Sequence, residues 1–232
     1  EVAIALTSGF LLAAHSITVI IDGMRETYVI EDGRFTTSFE ATETQLDAVH
    51  EAADPVGGVD ICKDYSFDAD LTGVSDESHG KTLRVYEHRT QMDLAAYAEG
   101  RVPVDDDEIA IDRVFAKNNG IVVGNKVKLD GREFNVVGIM TLADNQALFE
   151  KNSDFTVNTL GFGVAEASSE GMDTLTADGR QPSYTYSFCF ADRDLSVAER
   201  VDAEKDMVRA LTSAGANVED LTDAASNQGI GY

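Results

Sequence analysis

Positive charge is scarce in this sequence: 18 lysines and arginines face 42 aspartates and glutamates, giving a net charge of -24. No Lys/Arg-rich stretch exists to release counterions from a polyphosphate, which excludes nucleic acid as a partner. The same acidic body is repelled by anionic lipid head groups, so any hold on a membrane has to be hydrophobic or covalent. Histidine is sparse too. The four, at positions 15, 50, 79 and 88, include no i,i+4 pair, which removes the helical zinc site. His88, flanked by Glu87 and Arg89, reads as the solvent face of a strand. Neither a G-x-S-x-G elbow nor a Cys-His signature is present, which argues against a nucleophilic hydrolase. No catalytic residue, cofactor or metal ligand is assigned, and the chain reads as a non-enzyme.

Two stretches imitate sites without completing them. Asp105-Asp106-Asp107-Glu108 lacks the alternate-position ligands and closing glutamate of a calcium loop, and reads as a solvated turn. Gly161-Phe162-Gly163 carries Glu166 where a dinucleotide loop needs its third glycine. Internal repeats and low-complexity tracts are missing as well.

What is present suffices for a folded body, since 232 residues at 43% hydrophobic content support one large domain or two small ones. Residues 2–21 contain no Asp, Glu, Lys or Arg, a run long enough for a helix to cross hydrocarbon. Residues 1–21 are read as a membrane-spanning or stalk helix remnant in preference to a buried core helix, which would show a polar face at 3.6-residue spacing. A secretory signal would need a basic start, and no basic residue precedes Arg25.

Periodicity and capping place the other elements. Residues 27–30 read as a strand, 31–33 as a turn and 34–39 as extended. Thr42 and Gln45 form a capping box for a helix with Leu46, Val49 and Ala53 on one face, stopped by Asp54-Pro55 and Gly57-Gly58. From 59 to 71 apolar and polar residues alternate, the mark of a half-buried strand. After a polar joint at 72–80 and a strand at 81–87, the segment 99–140 is legible almost residue by residue. Arg101-Val102-Pro103 punctuates a turn, 108–111 is a strand, and Asp112 caps a short helix running to Asn119 and stopped by Gly120. Asp130-Gly131 then joins a hairpin of 127–129 and 134–139. Further on come a strand at 161–165, a helix at 169–175, and a strand at 183–191 with Tyr184, Tyr186, Phe188 and Phe190 on one face. Ser196 and Glu199 form a second capping box, for a helix whose stripe is Val197, Val201, Val208 and Leu211 and whose end is Gly215. Residues 221–232 read as a polar trailing segment. The predicted fold class is α+β. An α/β sandwich of strand-helix-strand units, 22–75 and 155–225, is interrupted by an inserted β-rich subdomain, 76–154, and 226–232 is a linker.

The 99–140 segment resembles the extracytoplasmic domain of FtsX-like permeases, the membrane subunits of the MacB-type class of ABC transporters. The pattern there is G-R-x-P, an acidic turn, E-I-x-I, a small helix ending in N-x-x-x-V-G, and a hairpin closing on V-x-G. Here those positions are Gly100, Arg101, Pro103, Glu108, Ile109, Ile111, Asn119, Val123, Gly124, Val136 and Gly138. All are turn or packing positions. Stretches 27–39, 147–165 and 226–232 are similar to one branch of that family, so the resemblance spans 20–232.

The resemblance implies a non-catalytic domain on the extracytoplasmic side of the cell membrane, with the α/β unit near the membrane and the β-rich unit distal. It implies flanking transmembrane helices, a cytoplasmic ABC ATPase subunit, a second permease copy or homologue, and a lipid, lipoprotein or peptide substrate. The alternative is an extracellular interaction module docking a cell-wall enzyme or other partner, through exposed aromatics such as Phe149, Phe155 or Phe162. Such a setting permits oxidation. Cys62 and Cys189, each on the polar parity of its strand, form a disulfide if their strands are suitably adjacent and stay free thiols otherwise.

Overall fold

The computed structural model describes residues 23, 27–74, 80–142, 158–179 and 183–223. The expected 1–21 helix, Phe149, Phe155 and the 226–232 linker lie outside the described residues. Among those described, no helix is long and apolar enough to cross a membrane.

The fold is α+β. In chain order the elements are β1 (Gly33–Thr37), α1 (Glu43–Ala53), β2 (Val59–Thr72), β3 (Thr82–Glu87), β4 (Ala96–Gly100), β5 (Glu108–Asp112) and α2 (Arg113–Asn119). There follow β6 (Lys126–Leu129), β7 (Arg132–Thr141), β8 (Phe162–Ala167), α3 (Ser169–Thr176), β9 (Ser183–Phe190), α4 (Val197–Ser213) and β10 (Val218–Asp223). The ten strands form one mixed sheet in the order β10-β1-β9-β2-β3-β8-β5-β7-β4, with β6 paired to both β2 and β7. That double pairing closes a ring, β2-β3-β8-β5-β7-β6 and back to β2. The sheet is therefore a six-stranded barrel, with β4 added beside β7 and an open wing, β10-β1-β9, and the 14 residues of β2 belong to both barrel and wing.

The wing is antiparallel throughout and packs α1 and α4 on one face. Both helices start as the sequence dictates, with Thr42 and Gln45, and Ser196 and Glu199, satisfying otherwise orphaned first-turn amides reciprocally. Their core joins Val49, Ala53, Ala203, Met207 and Leu211 to Phe35, Tyr186, Phe188 and Phe190. Phe35 stacks on Tyr186 with ring centroids 5.2 Å apart. The buried face of α4 is rotated from the expected stripe and shares only Leu211 with it, Val197 being 57% exposed. Which side of a helix is buried depends on where the sheet lies, and the valines sit to one side of that line.

Two further expectations are corrected here. Residues 27–30 are not a strand. Residues 27 and 28 are helical and Val29 has φ 49, because the carbonyls of Tyr28 and Val29 accept from the amides of Leu94 and Asp93 at 2.9 and 3.0 Å. The start of the segment read as trailing, 221–223, is part of a strand. Val218–Asp223 is β10, captured by the edge of β1 with Leu221 opposite Phe35.

The barrel interior holds Phe67, Leu71, Leu83, Val85, Ile109, Ile111, Leu129 and Phe134, together with Phe115 from α2 and Met172 and Leu175 from α3. Its β6-β7 hairpin turns on Asp130 and Gly131, with φ 49 and 81, between the paired residues Leu129 and Arg132. Two consecutive positive φ angles make a turn whose twist matches the flanking strands. Because β8 pairs with β3 and β5, the barrel claims β8 and α3, which the sequence reading gave to the α/β unit. The boundary thus falls within β2 and again between α3 and β9.

Candidate functional site

The strand shared by wing and barrel makes a cleft. β2 pairs with β9 from Val59 to Ser66, but with β3 only from Ser66 onward, opposite Tyr86. Past Glu87 the chain leaves β2 and follows β8, as the His88 amide donating to the Ala167 carbonyl at 2.9 Å shows. Two strands that part in this way leave a wedge. It has a volume of about 240 Å³ and runs between residues 61–65 and 87–92.

A polar network crosses the sheet beside the wedge. The Arg89 guanidinium, almost fully buried, lies 4.3 Å from the centre of the Tyr86 ring and 3.3 Å from the Asp64 carboxylate. Asp64 also accepts from the Ser187 hydroxyl at 3.3 Å, which carries the network across to β9. On the barrel side the hub is Glu166, fully buried. Its carboxylate meets His88 Nδ1 at 3.0 Å, accepts from the Tyr97 hydroxyl at 2.7 Å and lies 3.4 Å from the Arg89 amide. β8, β4 and the exit of β3 are tied at one point.

His88 is therefore not on the open face of a strand: it is half-buried against a carboxylate. The signal in the sequence was Glu166, the one charge in the run GFGVAEA, whose strand residues are all buried. Hydrogen bonding to Glu166 raises the pKa of His88, while burial opposes it. Burial, and then the Glu166 charge, push the Tyr97 hydroxyl upward. Because the folded value for His88 is raised above 6.5, its stabilisation is fully present below pH 6.5 and is lost as the pH climbs through the folded value. The groups facing it are Glu166 from β8, Tyr97 from β4 and the neighbouring Arg89. The melting temperature of wild type should exceed that of His88→Gln at pH 6, with the gap shrinking by pH 8.5. A gap independent of pH would remove the charged pair.

The residues of the sequence motif come together in a different place, at the open end of the barrel sheet. Gly100, at φ 73, and Gly138 lie where β4 meets β7, and the Arg101 amide donates to the Val137 carbonyl at 2.9 Å. The Arg101 guanidinium grips Glu108 with two nitrogens, one of them at 2.7 Å. Glu108 also accepts from the amides of Val104 and Asp105, at 2.9 and 3.2 Å. Led by the Arg101 contact, these bonds draw its pKa down to about 2. Pro103 is buried within the turn, Ile109 is in the barrel core, and Gly124 donates its amide to the Val136 carbonyl at 2.8 Å with φ 91. The geometry is a brace rather than a chemical centre. Gly163, in the run that imitates a phosphate loop, is a packing position, because a Cβ there would run into the Phe115 ring.

Cys62 and Cys189 are both free. Their strands are neighbours and the side chains share a face, but Cys62 lies opposite Ser187 while Cys189 lies opposite Asp60. Diagonal neighbours sit about 7–8 Å apart, beyond disulfide reach. Cys62 Sγ turns to the Gln91 side chain and Cys189 Sγ to the Ile30 carbonyl, and burial pushes the Cys189 thiol up to about 11. Among the described residues no cluster of three His, Cys, Asp or Glu is placed to hold a metal ion.

No protein-family model and no curated protein matches the chain. Among solved structures it is similar to the extracellular domain of the noncanonic ABC-type transporter YknZ from Gram-positive bacteria, at 12% identity and a TM-score of 0.41, over 81% of this chain and 100% of that one. It is also similar to the periplasmic region of MacB from Actinobacillus actinomycetemcomitans, at 10% identity and a TM-score of 0.44, over 85% and 91%. A domain of a candidate permease from Porphyromonas gingivalis aligns at 12% identity and a TM-score of 0.37, over 82% and 85%. The chain is thus similar, over most of its length, to extracytoplasmic portions of ABC-type transporters.

Proposed function

We propose that this chain is the extracytoplasmic domain of an ABC transporter permease, coupling ATP hydrolysis on a cytoplasmic partner to the handling of a lipid, lipoprotein or peptide at the outer membrane face. The observation that carries this reading is where the chain enters and leaves the described sheet. Gly33, the first residue of β1, pairs directly with Asp223, the last of β10. A chain that enters and leaves side by side suits a domain inserted between two membrane helices. The motif residues around Gly100, Arg101 and Glu108 support the same reading, since they form one brace in the barrel. Motion applied at β1 and β10 passes through β9 to β2, whose far half is a barrel stave, so wing and barrel are joined by a continuous strand rather than a linker.

The docking-module alternative loses one of its proposed aromatics. Phe162 is 1% exposed, with the Arg84 guanidinium 5.1 Å from its ring centre. The test is to delete the domain from the complete transporter and join the flanking chain where Gly33 and Asp223 lie side by side. Transport should be lost while basal ATPase activity persists, and unchanged transport would rule out a coupling role.

A further inference from the structure

We infer that the wedge between β2 and the exit of β3 is a binding site for an extended peptide segment, taken up as an added strand on β2. Main-chain direction is the first argument. The Leu71 amide donates to the Lys81 carbonyl at 2.8 Å, whereas Asp70 exchanges bonds with Asp130 on the opposite side, at 3.0 Å to its side chain and 2.9 Å from its amide. Odd residues of β2 therefore point their main-chain groups toward β3. Neither ladder of β2 with β9 or β3 contains a register shift, so the parity carries back along the strand. Ile61, Lys63 and Tyr65 thus aim their amides and carbonyls into the wedge, and all three line it. The β3 ladder opens at the non-hydrogen-bonded pair Ser66–Tyr86, so its last bond runs from the Glu87 amide to the Tyr65 carbonyl, and among the described residues it reaches neither Ile61 nor Lys63.

The occupant follows from charge. Lys63 pairs with Glu40 at 2.6 Å, Arg89 lies 3.3 Å from Asp64, His88 lies 3.0 Å from Glu166, and Tyr65 bonds Glu87. The positive charges of the wedge are matched within the protein and Glu87 is held by the neutral Tyr65, so what the wedge presents to a newcomer is main-chain donors and acceptors at strand spacing. An extended, uncharged stretch of polypeptide satisfies those groups when it lies about 4.8 Å from β2, as a neighbouring strand does. This goes beyond the transport reading and does not depend on it.

The experiment uses this chain labelled with nitrogen-15 and an acetylated hexapeptide of alternating threonine and valine, alongside the same peptide N-methylated at alternate residues. In the free protein the amides of Ile61, Lys63 and Tyr65 should exchange rapidly. Saturating peptide should slow them about tenfold or more, and N-methylation should weaken binding at least about tenfold, as loss of two or more hydrogen bonds requires. Thr90→Tyr, which crowds the mouth from an exposed position, should weaken binding similarly. Should that variant fail to fold, the comparison of the two peptides on wild-type protein decides alone. Slow exchange of the three amides in the free protein, equal binding of both peptides, or binding confined to β4 or β10 would each overturn the site. Loss of transport coupling would leave these readouts unchanged, so the two readings fail separately.

Discussion

Gly100→Ala should cost about 3–5 kcal/mol, enough to leave the domain largely unfolded if its total stability lies at the low end of the usual range of about 5–15 kcal/mol. Two penalties add. An alanine at φ 73 is strained by about 1–2 kcal/mol, and its Cβ would press into the Val137 carbonyl oxygen. That oxygen accepts the Arg101 amide, so backbone has to move. Gly124 supplies the control. At φ 91 it has the same conformational requirement, but nothing lies within 4 Å of its missing Cβ, so Gly124→Ala should cost only about 1 kcal/mol. Gly138 isolates the other penalty. Its φ is ordinary, but a Cβ would sit 2.5 Å from the Arg101 carbonyl and 3.1 Å from Ala110 Cβ, so about 2–3 kcal/mol is expected for Gly138→Ala. Urea unfolding of the three variants should rank them Gly100, Gly138, Gly124. Equal costs at Gly100 and Gly124 would remove the close approach of β4 to β7.

The second large effect is expected at Glu166. Glu166→Ala should destabilise by about 3–4 kcal/mol, because it deletes a fully buried carboxylate and strands the Tyr97 hydroxyl and the His88 imidazole that it held. Glu108→Ala also breaks a two-pronged ion pair, yet should cost only about 1–2 kcal/mol. Its partner Arg101 is 55% exposed and can return to water. What Glu108→Ala does lose is an acceptor for two turn amides, those of Val104 and Asp105. The two carboxylates also differ in how they respond to acid. With a folded pKa lowered from 4.5 to about 2, Glu108 stabilises fully above pH 4.5, and that contribution disappears as the pH falls toward 2. The stability gap between wild type and Glu108→Ala should therefore close between pH 5 and pH 2. A cost at Glu166 no greater than at Glu108 would show that burial, rather than the number of bonds, had been overvalued.

Glu166 also marks where reading the sequence ran out. Its partners, His88 and Tyr97, lie 78 and 69 residues away, and nothing local pairs them. The brace at Glu108 spans only seven residues, yet the sequence reading placed Glu108 in a solvated turn and gave it no partner, because the acidic run around it hides the one carboxylate that Arg101 holds. Range separates α4 from its stripe. Ser196 and Glu199 fixed where the helix begins, but only the position of the wing sheet fixed the face that would be buried.

Local chemistry, then, was written in the sequence: both capping boxes, Asp112 and Gly120 bounding α2, the Asp130-Gly131 hairpin, the alternation of β2, and the net acidity. Each depends on residues a few positions apart, or on composition, so each survives without knowledge of the fold. The barrel's closure through β6, the capture of Val218–Asp223 as β10, the diagonal offset of the two cysteines, the Glu166 hub and the wedge on β2 were decided by tertiary structure. Each is a matter of strand order and register. Those are set by which apolar faces the whole chain can bury together, and no short window of sequence records that choice.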